Sequence, residues 1–283
     1  MLNKIKDKIS TLTSELNYRV SLEKHQKNLP VLTPEDKLIV DSLKKTGVYV
    51  TSLQELGLSS TTKMLATANS CVDTMVNPRD IHAGYKLPQI YTVTDLPEFF
   101  NWGIETRLQN IIENYIGLPI AFHGVHVRKD FPNEKQLETL LWHKDSEDRR
   151  MIKVIMYLND VTEKHGPFEY IPLPANALEK VKNYQVDYEL WRTNFLGIND
   201  EKMKKIIPKS AWKSCPGKAG TVIFADVRNI LHHGTIRTQE RSTLFFTYTA
   251  NAPKRPELCK QYHDDTFPKI SPQHSLRHAM LWD

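Results

Sequence analysis

Residues 142–158 read WHKDSEDRRMIKVIMYL. The run IKVIMYL at 152–158 is apolar and rich in branched side chains, which predicts a strand, and WHKD at 142–145 reads as a shorter extended segment before it. In extended chain alternate side chains share a face, so His143 and Asp145 point together while Lys144 points away. That sets an imidazole and a carboxylate side by side, two donors suited to one divalent ion.

Downstream, LHHG at 231–234 offers a third donor, His232 or His233. Two histidines and one carboxylate form the facial triad of non-haem Fe(II) sites, which leaves adjacent coordination positions open. An isolated His-x-Asp pair is weak evidence, because a chain with eleven histidines holds on the order of 0.6 by chance. A second such pair does occur, His263 and Asp265, but it lies in the tail with no later histidine leading into a strand, and it reads as the chance one.

Arg241, nine positions after His232, adds a different kind of signal. That spacing allows a turn through Gly234 and entry into another strand. A planar guanidinium fork suits the distal carboxylate of an acidic cosubstrate, whereas a metal hydrolase has no use for it. Thr243 shares the face of Arg241 and offers a hydroxyl to the same carboxylate. Lys153, Ile155 and Tyr157 also share one face. If that face is interior, Lys153 and Tyr157 are candidates for a second contact to the acid or to substrate; if exterior, Lys153 is a solvated strand residue. His126 and Arg128 pose the same question.

Composition bounds the class. The 283 residues are 40% hydrophobic and 25% charged, which fits one globular domain spanning 1–283. Three scattered cysteines without a CxxC suggest neither a disulfide framework nor a thiolate zinc site, and a reducing cytoplasm is the expected compartment. No signal-peptide core or membrane span is read, so no membrane partner is expected. The net charge of +5 is mild, and the one basic cluster, KMKKIIPKSAWK at 202–213, reads as a solvated face, which disfavours nucleic acid as partner. The oligomeric state is not specified by the sequence.

Apolar residues at Leu2, Ile5, Ile9, Leu12 and Leu16 predict an amphipathic docking helix over 2–25. Thr33-Pro34 predicts the start of a second helix ending near Gly47, with a first strand at 47–51. Residues 52–116 are expected to be mostly helical, the strongest helix running 96–116 with Asp95 as N-cap. From 117 to 250 short strands at 120–128, 152–158, 167–171, 220–225 and 242–250 predict a mainly β part, a β-sandwich or double-sheet jelly roll, backed by the N-terminal helices. A helical insertion at 172–213 carries Tyr184, Tyr188 and Trp191, which either line a lid or pack on the sandwich edge. The tail, 251–283, shows no periodicity.

The segments WHKDSEDRRMIKVIMYLNDVTEKHGPFEYIP and GTVIFADVRNILHHGTIRTQERSTLFFTY together resemble the phytanoyl-CoA dioxygenase-like branch of the Fe(II)/2-oxoglutarate oxygenases, over roughly 117–250. The resemblance implies a double-stranded β-helix (cupin-like jelly roll), iron bound by His143, Asp145 and His232, and Arg241 as anchor for the 5-carboxylate of 2-oxoglutarate. Of the adjacent histidines, His232 is chosen because many relatives carry the ligand first in a His-Arg-Gly triplet, although His233 is itself a competent ligand. The implied reaction consumes O2 and 2-oxoglutarate, releases succinate and CO2, and hydroxylates a C–H bond of a small metabolite. Alternatives are demethylation or desaturation, a nucleic-acid or protein substrate, a zinc hydrolase using the same three residues, and a non-catalytic jelly-roll binding module.

Overall fold

In the computed structural model, residues 2–76, 80–82 and 85–270 are described. The chain opens with α1 (Leu2–His25) and α2 (Pro34–Thr46). Thr33 Oγ1 accepts from Asp36 N to cap α2, and Gly47 ends it at a left-handed φ of 82°. There follow β1 (Val48–Ser52), α3 (Leu53–Leu56), α4 (Thr61–Asp73), the short strands β2 (Asp80–His82), β3 (Tyr85–Lys86) and β4 (Gln89–Thr92), then α5 (Pro97–Gly103) and α6 (Thr106–Ile116). The remainder comprises β5 (Ile120–Asp130), β6 (Met151–Tyr157), β7 (Phe168–Ile171), α7 (Ala177–Arg192), α8 (Asp200–Ile206), β8 (Lys213–Cys215), β9 (Thr221–Ala225), β10 (Leu231–Gly234) and β11 (Arg241–Ala250).

Six strands form one antiparallel sheet in the order β1-β9-β6-β11-β5-β4, and three form a second, β10-β7-β8. The two-residue period gives the larger sheet two different faces. Val154, Met156, Leu244 and Phe246 pack with Leu108, Ile111 and Trp102 of the helical layer. On the opposite face Ile155, Tyr157, Ile223 and Ala225 form a separate core with Phe168 and Cys215 of the smaller sheet. The functional side chains lie on this inter-sheet face.

Three expectations need correction. The long helix over 96–116 is two helices, and Leu96 rather than Asp95 is the N-cap of the first. The break follows Gly103, where a Cβ would meet the Phe122 ring at 2.4 Å, and Glu105 turns out of the helix to accept from Ser59 and Ser60. The mostly helical stretch 52–116 also contains β2, β3 and β4, and β4 forms an edge of the large sheet by pairing with β5. Finally, α1 leaves Leu12 and Leu16 exposed. The side chains of Leu2, Ile5 and Ile9 lie outside the described residues; the described part of α1 is held by Glu15 to Arg149 (3.1 Å), Tyr18 beneath the Arg149 guanidinium, and His25 to Glu113 (2.7 Å), polar contacts that apolar periodicity does not register.

Candidate metal centre

His143 and His232 meet across a two-residue antiparallel bridge, each N–H donating to the other's carbonyl at 3.1 Å. The pairing holds WHKD extended against the β10 strand, with Asp145 N donating to Val227 O at 3.0 Å. Lys144 then points outward to Asp187 (2.7 Å), while His143 and Asp145 turn inward. One donor atom from each of His143, Asp145 and His232 lies within 4.8 Å of the others.

The hydrogen bonds direct these donors. His143 Nδ1 donates to Leu141 O (2.7 Å), which leaves the Nε2 lone pair facing Asp145 Oδ1 at 3.7 Å. His232 Nε2 faces the same oxygen at 3.7 Å. The other carboxylate oxygen, Oδ2, accepts from Lys153 Nζ at 2.5 Å. A ligating carboxylate is commonly oriented in this way by a hydrogen bond to its free oxygen. Burial lowers the pKa of both histidines, keeping them in the neutral form a metal requires. Burial alone would raise that of Asp145, but the charge and hydrogen bond of Lys153 hold the carboxyl well below its usual range. The donor set therefore fits a divalent metal bound on one face.

His233 is differently placed. Its Nδ1 faces Leu140 O (2.8 Å), its Nε2 faces Glu169 Oε2 (3.0 Å), and its ring stacks on Trp142 at 3.9 Å. Both ring nitrogens are engaged within the protein, by Leu140 O, Gln136 Nε2 and Glu169 Oε2, and His233 is not one of the three residues whose donors converge.

A cavity of about 210 Å³ adjoins the centre, its lining including His143, His232, Lys153, Arg241, Phe245 and Tyr262. Arg241, in register with Asp130 on β5, donates from Nε (3.2 Å) and Nη2 (2.8 Å) to Asp130 Oδ2 and from Nη1 to Gly166 O. Asp130 also meets Arg128 (2.8 Å) and Arg237 (2.7 Å), so three guanidinium groups share one carboxylate and the cluster carries an excess of positive charge. Two glycines make room for it. A Cβ on Gly234 would approach Arg237 and Arg241 at 3.0 and 3.3 Å, and Gly166, at a φ of 67°, would collide with Thr235 O.

Among the remaining sequence candidates, Thr243 lies outside the cavity lining, behind Arg241 on the same strand, with a fully buried Oγ1 that has no hydrogen-bond partner among the described residues. Lys153 faces inward and lines the cavity. Tyr157 does not reach it: its hydroxyl donates to Cys215 O (2.8 Å) and accepts from Phe168 N (3.1 Å), which commits it to joining the two sheets and corrects its expected place at the site. Of the two places left open for Tyr184, Tyr188 and Trp191 of the 172–213 insertion, a lid or the sandwich edge, neither is taken: all three are exposed and outside the cavity lining.

Sequence reading missed Asp130, Arg237 and the wall contributed by the tail. A 3-10 turn, Pro256–Tyr262, brings Tyr262 onto His126 at 4.5 Å between ring centroids. Burial lowers the His126 pKa to about 4. The tail is held by Thr92 N to Pro268 O (2.8 Å) and Ile270 N to Thr92 O (3.0 Å) along the outer edge of β4. Non-periodic sequence carries no sign of such edge pairing.

No family model and no curated protein matches the chain. Solved structures do resemble it. The non-heme alpha ketoglutarate dependent carbocyclase SnoK from nogalamycin biosynthesis is 15% identical and superposes with a TM-score of 0.52 over 87% of this chain and 90% of its own. EctD from S. alaskensis with bound Fe is 16% identical, with a TM-score of 0.51 over 76% of this chain and 78% of its own. The alpha ketoglutarate dependent epimerase SnoN is 15% identical, with a TM-score of 0.50 over 76% of this chain and 83% of its own. At these identities the likeness is one of fold. No helix among the described residues is long and apolar enough to cross a membrane.

Proposed function

We propose that residues 1–283 form a single Fe(II)- and 2-oxoglutarate-dependent oxygenase domain with a double-stranded β-helix core, akin to the phytanoyl-CoA dioxygenase-like branch, acting on a small-molecule substrate. The observation that carries this reading is the convergence of His143, Asp145 and His232 beside a cavity that also presents the guanidinium of Arg241. Fold neighbours described as iron-bound or alpha ketoglutarate dependent support it. A zinc hydrolase would leave the arginine cluster without a purpose.

His143 Nε2, His232 Nε2 and Asp145 Oδ1 would hold the metal, and the peptide bridge between the two histidines fixes their spacing in advance. When bound, Fe(II) with 2-oxoglutarate supplies the oxidising power that turns O2 on a C–H bond, with release of succinate and CO2. Lys153 holds Asp145 Oδ2 and so restrains the carboxylate to donate through one oxygen. Arg241 binds the distal carboxylate of 2-oxoglutarate, and Thr243 Oγ1, otherwise unpartnered, donates to the same group. Asp130 keeps the Arg241 fork pre-oriented, while the surplus charge of its arginine neighbours favours a dianion. Phe245, Tyr262 and neutral His126 bound the remaining space and shield it from water.

Hydroxylation is the outcome we assign as the default among the reactions this donor set would support, with demethylation and desaturation as the alternatives. The test is succinate formation from 2-oxoglutarate under air with Fe(II) and a pool of small metabolites, followed by mass spectrometry for a gain of one oxygen. Succinate with an oxygenated product in the wild type and neither in His143→Ala supports the reading. Equal succinate formation in both proteins contradicts it.

A further inference from the structure

Helix α7 is apolar on both sides. Val186 and Leu190 point into the protein, while Leu178, Val181, Tyr184, Tyr188 and Trp191 face outward, each more than half exposed. A surface helix ordinarily turns one apolar stripe to the core, and α7 carries a second one in water, flanked by charged residues. Just past the helix end Phe195 and Leu196 are also mostly exposed. Asn194 and Phe195 have φ of 53° and 62°, and a bulky aromatic residue in that left-handed region is uncommon. Strained backbone of this kind gathers at functional segments, and here it holds a large ring out in water.

We propose that this stripe is the interface of a homodimer in which α7 packs antiparallel against α7 of a second copy across a two-fold axis. Six large side chains, each more than half exposed, leave on the order of 800 Å² of surface, one partner's share of a standard stable interface and more than a monomer ordinarily exposes in one patch. Its Tyr, Trp and Phe content is that of an interface core.

The order of the residues specifies a second copy as the occupant. Small aliphatic groups lie at the N-terminal end of the stripe and large rings at the C-terminal end. An antiparallel two-fold therefore brings Leu178 against the partner's Phe195, Val181 against the partner's Trp191, and Tyr184 against the partner's Tyr188. Large meets small at both ends, and the same patch serves both subunits, as a closed two-fold interface requires. The antiparallel arrangement also opposes the two helix dipoles. The stripe lies outside the lining of the metal-side cavity, so the inference is independent of the proposed chemistry.

Sedimentation equilibrium of the full chain tests the proposal. The expected result is a mass twice that of the 32.8 kDa chain at micromolar concentration. The double variant Tyr188→Glu/Trp191→Glu should dimerise at least about tenfold more weakly, with an unchanged circular-dichroism spectrum and metal affinity. A second variant, Gln185→Cys, places a thiol on the exposed central turn of the helix and should give a cross-linked dimer on oxidation; the three native cysteines are buried and do not interfere. A monomer at every concentration up to about 100 µM overturns the proposal, as does a dimer indifferent to the glutamates and not cross-linked through position 185. Co-sedimentation of a monomeric wild type with anionic phospholipid vesicles, lost in the double variant, also overturns it by assigning the stripe to a membrane surface.

Discussion

Lys153 Nζ lies 2.5 Å from Asp145 Oδ2 while Asp145 Oδ1 faces both histidine Nε2 atoms at 3.7 Å, so the carboxylate is divided between a fixed ammonium and the metal position. Replacing Lys153 by Met leaves Asp145 largely buried without its cation. Losing one partner of a buried pair costs about 3–5 kcal/mol. Unfolding in chelator should show a loss of that order, and saturating divalent metal should recover part of it by compensating the same carboxylate. An equal loss with and without metal would mean that metal does not engage Asp145.

The two adjacent histidines separate cleanly. His232→Ala should lose metal while keeping its fold. His233→Ala should retain metal but fall in stability by about 1–3 kcal/mol, because Glu169 Oε2 and Leu140 O lose a buried partner. Metal content by mass spectrometry and urea midpoints measure the two effects; the reverse pattern would transfer the ligand to His233.

Arg241→Lys keeps the charge but removes the planar fork, so the apparent KM for 2-oxoglutarate should rise about tenfold or more. Metal affinity should stay constant. Kinetics against 2-oxoglutarate concentration provide the check, and an unchanged KM would remove Arg241 from this role.

Asp130 supports that arginine and gives stability a pH dependence. Burial by itself would raise its pKa, but Arg128, Arg237 and Arg241 together hold it far below the usual carboxylate range. A group depressed in the folded state stabilises fully above its unfolded pKa, and that contribution is lost as pH falls toward the folded value. Stability should therefore decline with acidification below about pH 4, and the slope in that window should flatten in Asp130→Asn, a variant already weaker at pH 7 because three guanidiniums lose their counter-charge. Urea midpoints at pH 7 and pH 3 measure both.

The cysteines offer a simpler test of the packing. Burial raises the thiol pKa of Cys71 to about 11, Cys215 to about 12 and Cys259 to about 11. None should react with iodoacetamide at pH 8 in the native protein, and all three should react in urea.

Much of the centre was legible because its signals are local. The two-residue period of WHKD put His143 and Asp145 on one side, and the strand period of β6 put Lys153 and Ile155 on one face. Neighbouring strand residues point oppositely, so the sequence also told that only one of His232 and His233 meets the triad. Which one depends on Leu140 and Glu169, acceptors 93 and 64 positions away in the chain, and no local pattern carries that. Asp130 was silent for the same reason, since its role arises only when β5 pairs with β11 in register with Arg241. The break after Gly103 reflects contact with Phe122, and the placement of Tyr262 over His126 reflects tail pairing on β4; both are tertiary effects that periodicity does not register.

The most direct measurement is an anaerobic titration of the metal-free protein with Fe(II) and 2-oxoglutarate, followed by visible spectroscopy. The account predicts a weak metal-to-ligand charge-transfer band that requires both additions, saturates at one iron per chain, and is absent in His143→Ala and Asp145→Ala. A protein that binds Fe(II) with no spectral response to 2-oxoglutarate, or that turns over with zinc alone, would contradict it.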